Sequence, residues 1–417
     1  MSEAFDSNAT ALNDPWSVPL EDLDPSQPIV FQTNAQFPIF ERLRAEDPIH
    51  FHESGLFGPY WSITKFNDIM AIDKDHARFS SESGITLTER QSDFTTPNFI
   101  SMDPPKHDVQ RKAVTGVVAP MNLAKMEPLI RERVCTILDS LPVGTSFNWV
   151  DKVSIELTTQ MLATLFDFPF EDRRKLTYWS DMATSGELAG GPTPEPARRA
   201  ALLECLETFQ GLWAEREGKV SEGALDLVTM LANSPDTQDM DPMEYLGNLI
   251  LLIVGGNDTT RNSITGGVLF LNENPGEYEK LRANPDLVPN MIPEIIRYQT
   301  PLTYMRRTAL EDVEIGGKVI KKGDKLAMWY VSGNRDDEVI ERPDEFIIDR
   351  KNPRHHLSFG FGIHRCMGNR LAEMQLRVLW EEILERFSMV EVVGEPERVQ
   401  SSFVRGYATL PVVLHPV

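Results

Sequence analysis

Six aliphatic residues in succession, Leu249-Ile250-Leu251-Leu252-Ile253-Val254, sit inside a helical pattern that runs from about Met243 to Leu271. A helix that is apolar around its whole circumference offers no face to water and must be enclosed on all sides. At 1.5 Å per residue this one spans about 40 Å, enough to cross a whole domain, so the remaining chain has to pack around it. The run is followed at once by Gly255-Gly256-Asn257-Asp258-Thr259-Thr260. Burying an aspartate and hydroxyls inside a helix costs on the order of several kcal/mol unless they are satisfied, and each glycine weakens the helix by roughly 1 kcal/mol. So costly an interruption marks a site. Thr259 can bond back to a carbonyl near the glycines and open a local bulge over a ligand, and Asp258 can pass protons inward from water. A kinked core helix with capped polar groups is the plainer alternative.

No repeat, low-complexity tract or Gly/Ser linker divides the 417 residues. We read a polar N-terminal arm over residues 1–30 and one domain over 31–417. After Cys366, apolar side chains at Ala372, Leu376, Leu379, Trp380, Ile383, Leu384 and Phe387 form one face of a second helix. Alternating runs at Ile49 to His52 and Tyr60 to Ile63 predict a hairpin, and glycine turns at Gly316-Gly317 and Gly323-Asp324 predict further hairpins between Val313 and Tyr330. The expected class is mainly α with small β-sheets. Sixty-three acidic residues against 41 basic ones leave a formal charge of -22, which argues against nucleic acid and anionic membrane surfaces as partners. The aliphatic run falls far short of the ~20 residues of a membrane helix, and Met1 to Asp6 has no secretory character, so a cytoplasmic protein is expected.

The cysteines, Cys135, Cys205 and Cys366, are too few for a disulfide framework. Cys135 and Cys205 read as inert core thiols. Cys366 differs. The stretch Phe359-Gly360-Phe361-Gly362-Ile363-His364-Arg365-Cys366-Met367-Gly368 sets it in a glycine-punctuated loop just before the second helix. A thiolate there meets free backbone N–H groups and the positive end of the helix dipole. The glycines allow tight turns and close approach to a flat cofactor, which suits a single thiolate as axial ligand to haem iron. The rival is a zinc cluster of His355, His356, His364 and Cys366, which has the usual ligand count but leaves the glycines and Phe359 unexplained.

In these residues the chain resembles the cytochrome P-450 family. The haem-ligand signature Phe-x-x-Gly-x-x-x-Cys-x-Gly falls at Phe359, Gly362, Cys366 and Gly368, and the oxygen-activating motif Ala/Gly-Gly-x-Asp/Glu-Thr-Thr/Ser is matched from 255 to 260. The resemblance implies that family's fold, with haem b between the long central helix and the Cys-ligand loop. Cys366 is then the iron ligand, with Phe359, Gly360 and Gly368 against the haem, Asp258 a proton relay and Thr259 a support for oxygen activation. Propionate partners are implied at His107 and Arg111, four apart on a helix beginning after Pro104-Pro105, and at Arg307 and His356. Glu294 and Arg297 are expected to join Arg350 in a buried structural triad, although Pro293 leaves the start of their helix in doubt.

Within the family the chain is most similar to soluble bacterial alkane hydroxylases, through Leu251 to Ser263, Tyr304 to Arg307, Met328 to Asp336 and Leu357 to Leu376. The implied reaction places one atom of O2 on the terminal carbon of a medium-chain alkane or related chain. Such a substrate has no hydrogen-bonding group, so recognition rests on apolar burial worth roughly 0.8 kcal/mol per methylene. Ile85, Leu87, Leu251, Val254, Gly255, Leu302, Thr303, Phe403 and Val404 are the candidate pocket residues. Terpenes, alkylbenzenes and fatty acids are alternative substrates, and a peroxide-driven peroxygenase or a haem protein without oxygenase activity are alternative functions. No dinucleotide fingerprint is present, so neither flavin nor NAD(P)H is expected to be bound. Electrons are expected from a ferredoxin, itself served by a reductase. Arg350, Lys351, Arg354, Arg365, Arg370 and Arg377 face only Glu373 between residues 350 and 377, and with Lys106 and Lys112 they supply the expected docking patch.

Overall fold

The computed structural model describes residues 14–219 and 226–417, so the beginning of the expected arm lies outside the described residues. Helices carry the chain. The longer ones begin with α1 (Gln36–Glu46), α2 (Phe66–Lys74), α3 (Lys106–Thr115), α4 (Pro120–Asp139), α5 (Glu156–Phe166) and α6 (Arg174–Thr184). There follow α7 (Glu195–Arg216), α8 (Pro242–Glu273), α9 (Pro275–Ala283), α10 (Val288–Gln299) and α11 (Asn369–Arg386). Strands are few and short: β1 (Ile49–His52), β2 (Tyr60–Ile63), β3 (Phe79–Ser80), β4 (Met305–Ala309), β5 (Val313–Ile315), β6 (Lys318–Ile320) and β7 (Lys325–Met328), with a smaller sheet near the C-terminus.

The central rod is α8. Asp241 caps it by accepting from the Met243 N–H at 2.8 Å, and Pro242 occupies its first turn. It packs against α5, α6, α10 and α11. Complete enclosure, expected for residues 249–254, is found instead from Thr260 to Leu271, where every residue is buried. Ile250, Leu251, Leu252 and Val254 are only partly buried because this stretch borders an internal cavity. Nor does the expected bulge form. The helix continues through 255–260, while Thr259 Oγ1 does donate to the Gly255 carbonyl at 2.7 Å. In α10, Pro293 lies inside the helix. Its missing N–H would have reached Pro289 in the first turn, so it removes a single terminal bond and the helix tolerates it.

The main sheet has the order β1-β2-β7-β4-β3. β1 and β2 form the predicted hairpin, with Ile49 opposite Ile63 and His52 opposite Tyr60. Gly316 and Gly317, at φ +56° and +76°, join β5 to β6 as the turn that only glycine adopts freely. The turn at Gly323 does not make a further hairpin. β7 leaves β6 and runs parallel to β2 and antiparallel to β4, because its apolar residues Leu326, Ala327 and Met328 belong in the core. The described part of the arm is not a free tail: Leu23 and Val30 are buried in a cluster with Phe31, Phe40 and Trp329. Among the described residues no helix is long and apolar enough to cross a membrane.

Candidate active site

One cavity of about 480 Å³ brings the two sequence motifs face to face. One wall is α8, presenting Leu251, Val254, Gly255, Gly256 and Thr259; another is the loop before α11, presenting Phe359, Gly360, Cys366 and Gly368. A side chain at Gly255 would meet nothing within 4 Å, so the helix surface is open there. The surface that Cys366 exposes belongs to this cavity. Its backbone N–H donates to the Phe359 carbonyl at 2.8 Å, which closes the loop. Burial pushes the Cys366 thiol up, while the N–H groups of Gly368 and Asn369 and the charges of Arg111 and Arg365 favour the thiolate. Cys205, by contrast, is buried in the core, and Cys135 donates to Glu382 at 3.2 Å.

Asp258 lies behind the cavity wall, fully buried. Its Oδ1 accepts from Arg261 Nη2 at 2.7 Å and from Asn257 Nδ2 at 3.0 Å. Burial drives its carboxyl up to about 6, against the pull of Arg261. Arg261 Nη1 then donates to Asp181 on α6 at 2.9 Å, and the Asp181 side chain is about half exposed, at 51%. Arg261 and Asp181 were not singled out in the sequence. The i, i+3 spacing of Asp258 and Arg261 was the available signal, and Asp181 left none because it comes from another element.

The polar groups around the cavity test whether a haem fits. His107 Nε2 and His364 Nδ1 are buried without a partner, and the two rings meet edge to face at 4.5 Å. Arg111, Arg307 and His364 line the cavity. Orphaned ring nitrogens beside two guanidiniums match the carboxylates of a haem b, and the thiol and glycines match its iron and flat face. His356, also expected in this set, has its Nε2 buried without a partner as well, but does not line this cavity, whereas His107, also outside the lining, packs against His364, which does. His356 is buried in a separate recess with Arg354, Arg365 and Arg370, outside the cavity lining, where burial and Arg297 pull its pKa down to about 3. The loop turns at Gly360, φ +64°, and again at Gly362, so His364 is the histidine it brings inward. The zinc arrangement is not assembled: among the described residues no group of three His, Cys, Asp or Glu converges to hold a metal ion.

Of the expected pocket residues, Ile85, Leu251, Val254, Gly255, Leu302 and Phe403 line the cavity, joined by Phe94, Phe99 and Leu188 from stretches that carry no motif and by Met305 beside Arg307. Leu87, Thr303 and Val404 do not. Leu87 is core, and its N–H donates to the Tyr304 hydroxyl at 3.1 Å. Thr303 Oγ1 donates to the Ser402 carbonyl, and Val404 is bridged to Leu302. Glu294, Arg297 and Arg350 do come together. Glu294 Oε2 accepts from Arg297 Nε at 2.8 Å and Arg350 Nε at 3.0 Å, fully buried. The basic patch shrinks: Arg377 pairs with Glu127 and Glu381, Arg354 with Glu373 and Lys106 with Glu244, leaving Lys112, Lys351, Arg365 and Arg370 exposed and without an ion pair among the described residues.

Comparison with known proteins is consistent with this geometry. The family model described as Cytochrome P450 matches residues 197–410. The linalool 8-monooxygenase of Pseudomonas putida is 33% identical over 411 residues, covering 95% of this chain and all of that protein. Two solved structures are more alike in sequence. A cytochrome P450-153 from Novosphingobium aromaticivorans is 44% identical with a TM-score of 0.88, covering 94% of this chain and 99% of that one. CYP153D17 from Sphingomonas sp. PAMC 26605 is 48% identical with a TM-score of 0.89, covering 94% and 98%.

Proposed function

The chain belongs to the cytochrome P450 family and is a haem b monooxygenase, and from that premise we propose that it hydroxylates the terminal carbon of medium-chain alkanes or related aliphatic chains. The observation that carries this reading is the apolar lining above Cys366, from Ile85, Phe94, Phe99, Leu251, Val254 and Leu302. A cavity of that composition selects by burial and shape rather than by hydrogen bonds. The identity of 44% and 48% to P450-153 structures, against 33% to the linalool relative, supports the same choice.

Bound haem supplies the activation of dioxygen. The chain's own residues hold and feed it. Cys366 would ligate its iron, and Arg111, Arg307 and His364, with His107 packed against His364, would hold its carboxylates, while Thr259 lines the cavity with its hydroxyl anchored on the Gly255 carbonyl. Asp258, its carboxyl raised to about 6, can take up and release a proton behind that wall, and its partner Arg261 reaches the half-exposed Asp181. The test is product analysis after turnover with a series of linear alkanes, with terpenes and alkylbenzenes as competitors. Terminal alcohols as the main products support the reading; subterminal products, or turnover confined to terpenes, overturn it.

A second reading, a chain bearing a carboxylate, is favoured by Arg90. This exposed residue lines the cavity and makes no ion pair among the described residues. Arg90→Gln should raise KM for a fatty acid roughly tenfold and leave an alkane of equal length unchanged. Equal KM changes for both would remove Arg90 from recognition. We assign electron delivery to a ferredoxin in the cytoplasm, docking on Arg365, Arg370, Lys351 and Lys112. Charge reversal at Arg365 should weaken ferredoxin-supported turnover in a salt-dependent way and leave substrate-induced spectral shifts alone.

A further inference from the structure

Asp73, at the end of α2, carries no sequence motif, yet its buried carboxylate collects three donors. Oδ1 accepts from Arg307 Nη2 at 2.7 Å, and Oδ2 accepts from the Tyr330 hydroxyl at 2.9 Å and from the Phe361 N–H at 2.7 Å. The side chains of Asp73 and Arg307 are 1% and 3% exposed. Removing two charges from water this completely costs several kcal/mol per ion, and an apolar pair would fill the same core at less cost. The four tied elements explain the arrangement: the end of α2, strand β4, the start of the short helix Tyr330–Gly333 that follows β7, and the cysteine-bearing loop. The approach is close enough to dictate the loop's glycines. A side chain at Gly360 would come within 3.2 Å of Asp73 Oδ2, and one at Gly362 within 2.5 Å of the Asp73 carbonyl and 3.0 Å of Lys74 Cα. Two letters of the haem-ligand loop are therefore written by its contact with α2 as much as by contact with a cofactor. Arg307 is held from the same carboxylate, with its Nη1 on the Arg306 carbonyl at 2.9 Å, while it lines the cavity.

We propose that Asp73 is a positioning residue of the haem-thiolate centre: one carboxylate clamps the cysteine-bearing loop through the Phe361 amide and sets both the orientation and the effective charge of Arg307 toward the haem carboxylates. It acts through Arg307 and the loop and touches neither Cys366 nor substrate. The inference rests on the family's haem and not on the substrate reading, so either can fail alone.

The test uses the haem-loaded enzyme and reads the haem rather than turnover. Asp73→Asn keeps the shape and deletes the charge. Losing a negative charge and freeing the Arg307 cation should shift the haem reduction potential upward. Loss of a charge-assisted bond to the loop should speed haem transfer to an excess of acceptor apoprotein roughly tenfold. Tyr330→Phe, which removes one neutral donor and keeps both charges, should leave the potential in place and so separates charge from packing. The Arg307→Gln background decides the route. If Asp73 acts by holding Arg307, the shift caused by Asp73→Asn is markedly smaller there than in the parent, a non-additive cycle. An unshifted potential in Asp73→Asn, an equal shift in both backgrounds, or the same shift in Tyr330→Phe would overturn the proposal. If Asp73→Asn fails to retain haem, Asp73→Glu takes its place: recovery of haem binding with the parent potential upholds the clamp, and a potential unrelated to the carboxylate's presence sinks it.

Discussion

A carboxyl raised to about 6 is poised to give and take a proton near neutrality, but only if water can reach it. Asp258 is buried; one route to it runs through Arg261 Nη2 and on to Asp181, while its other oxygen accepts from Thr184 Oγ1, a cavity-lining hydroxyl, at 3.4 Å. Arg261 itself stays charged and cannot carry the proton; its part is to hold the buried carboxylate and to open a path when its bond to Asp181 breaks. Arg261→Gln should therefore slow the proton-dependent step by roughly tenfold or more and enlarge the solvent isotope effect on turnover, with substrate-binding spectra unchanged. An unaltered isotope effect would mean that protons arrive by another route. At this scale placement was legible where a motif names a residue: Cys366 and Thr259 line one cavity, with Asp258 buried beside Thr259. It was not legible where chain direction decides. His356 and His364 are the same residue type eight positions apart, and the turns at Gly360 and Gly362 determine which of them reaches the cavity.

Among the elements, α8 and α11 were readable because their apolar periodicity is long, and β1 with β2 because alternation and turn glycines agree. The β7 partnership was not, since pairing with β2 and β4 joins residues far apart in sequence and no local signal encodes it. The same limit hid Asp73, whose partners come from β4, from beside β7 and from the loop before α11. α10 shows how an element is fixed from outside. Glu294 takes both its arginines and also the Ile347 N–H at 2.9 Å, while Arg297 donates to the carbonyls of Asn334 and Pro343 at 2.8 and 2.7 Å. The helix is thereby fastened to the stretch that leads into the cysteine loop. Glu294→Ala leaves two buried guanidiniums without their carboxylate, a loss of about 3–5 kcal/mol. It should appear as a lower urea midpoint and loss of haem. An unfolding free energy within about 0.5 kcal/mol of the parent, a margin usual for surface changes, would show the triad to be dispensable.

Across the whole molecule the charge of -22 is unevenly spread, and buried ionisable groups make stability depend on pH in both directions. His52 is the last residue of β1, its Nε2 on Ser62 Oγ at 2.8 Å and its ring stacked on Tyr60 at 4.4 Å. Burial lowers its pKa from 6.5 to about 4, although Asp24 pulls the other way. A folded pKa below the unfolded one means that the stability His52 permits is whole above pH 6.5 and drains away as pH falls toward 4. Asp258 has the opposite sign: raised from 3.8 to about 6, it costs stability as pH rises through 6 and returns it on acidification. The two partly cancel in the parent, so the parent's acid limb alone assigns neither. A difference between two proteins sharing Asp258 isolates His52. From pH 8 to pH 5 the parent should lose roughly 2 kcal/mol more than His52→Gln, which cannot titrate. Urea unfolding of the two haem-loaded proteins at both pH values measures this. If their midpoints fall in parallel, His52 is not a source of the acid sensitivity, and the burial of the β1–β2 hairpin is not what sets the lower pH limit of the fold.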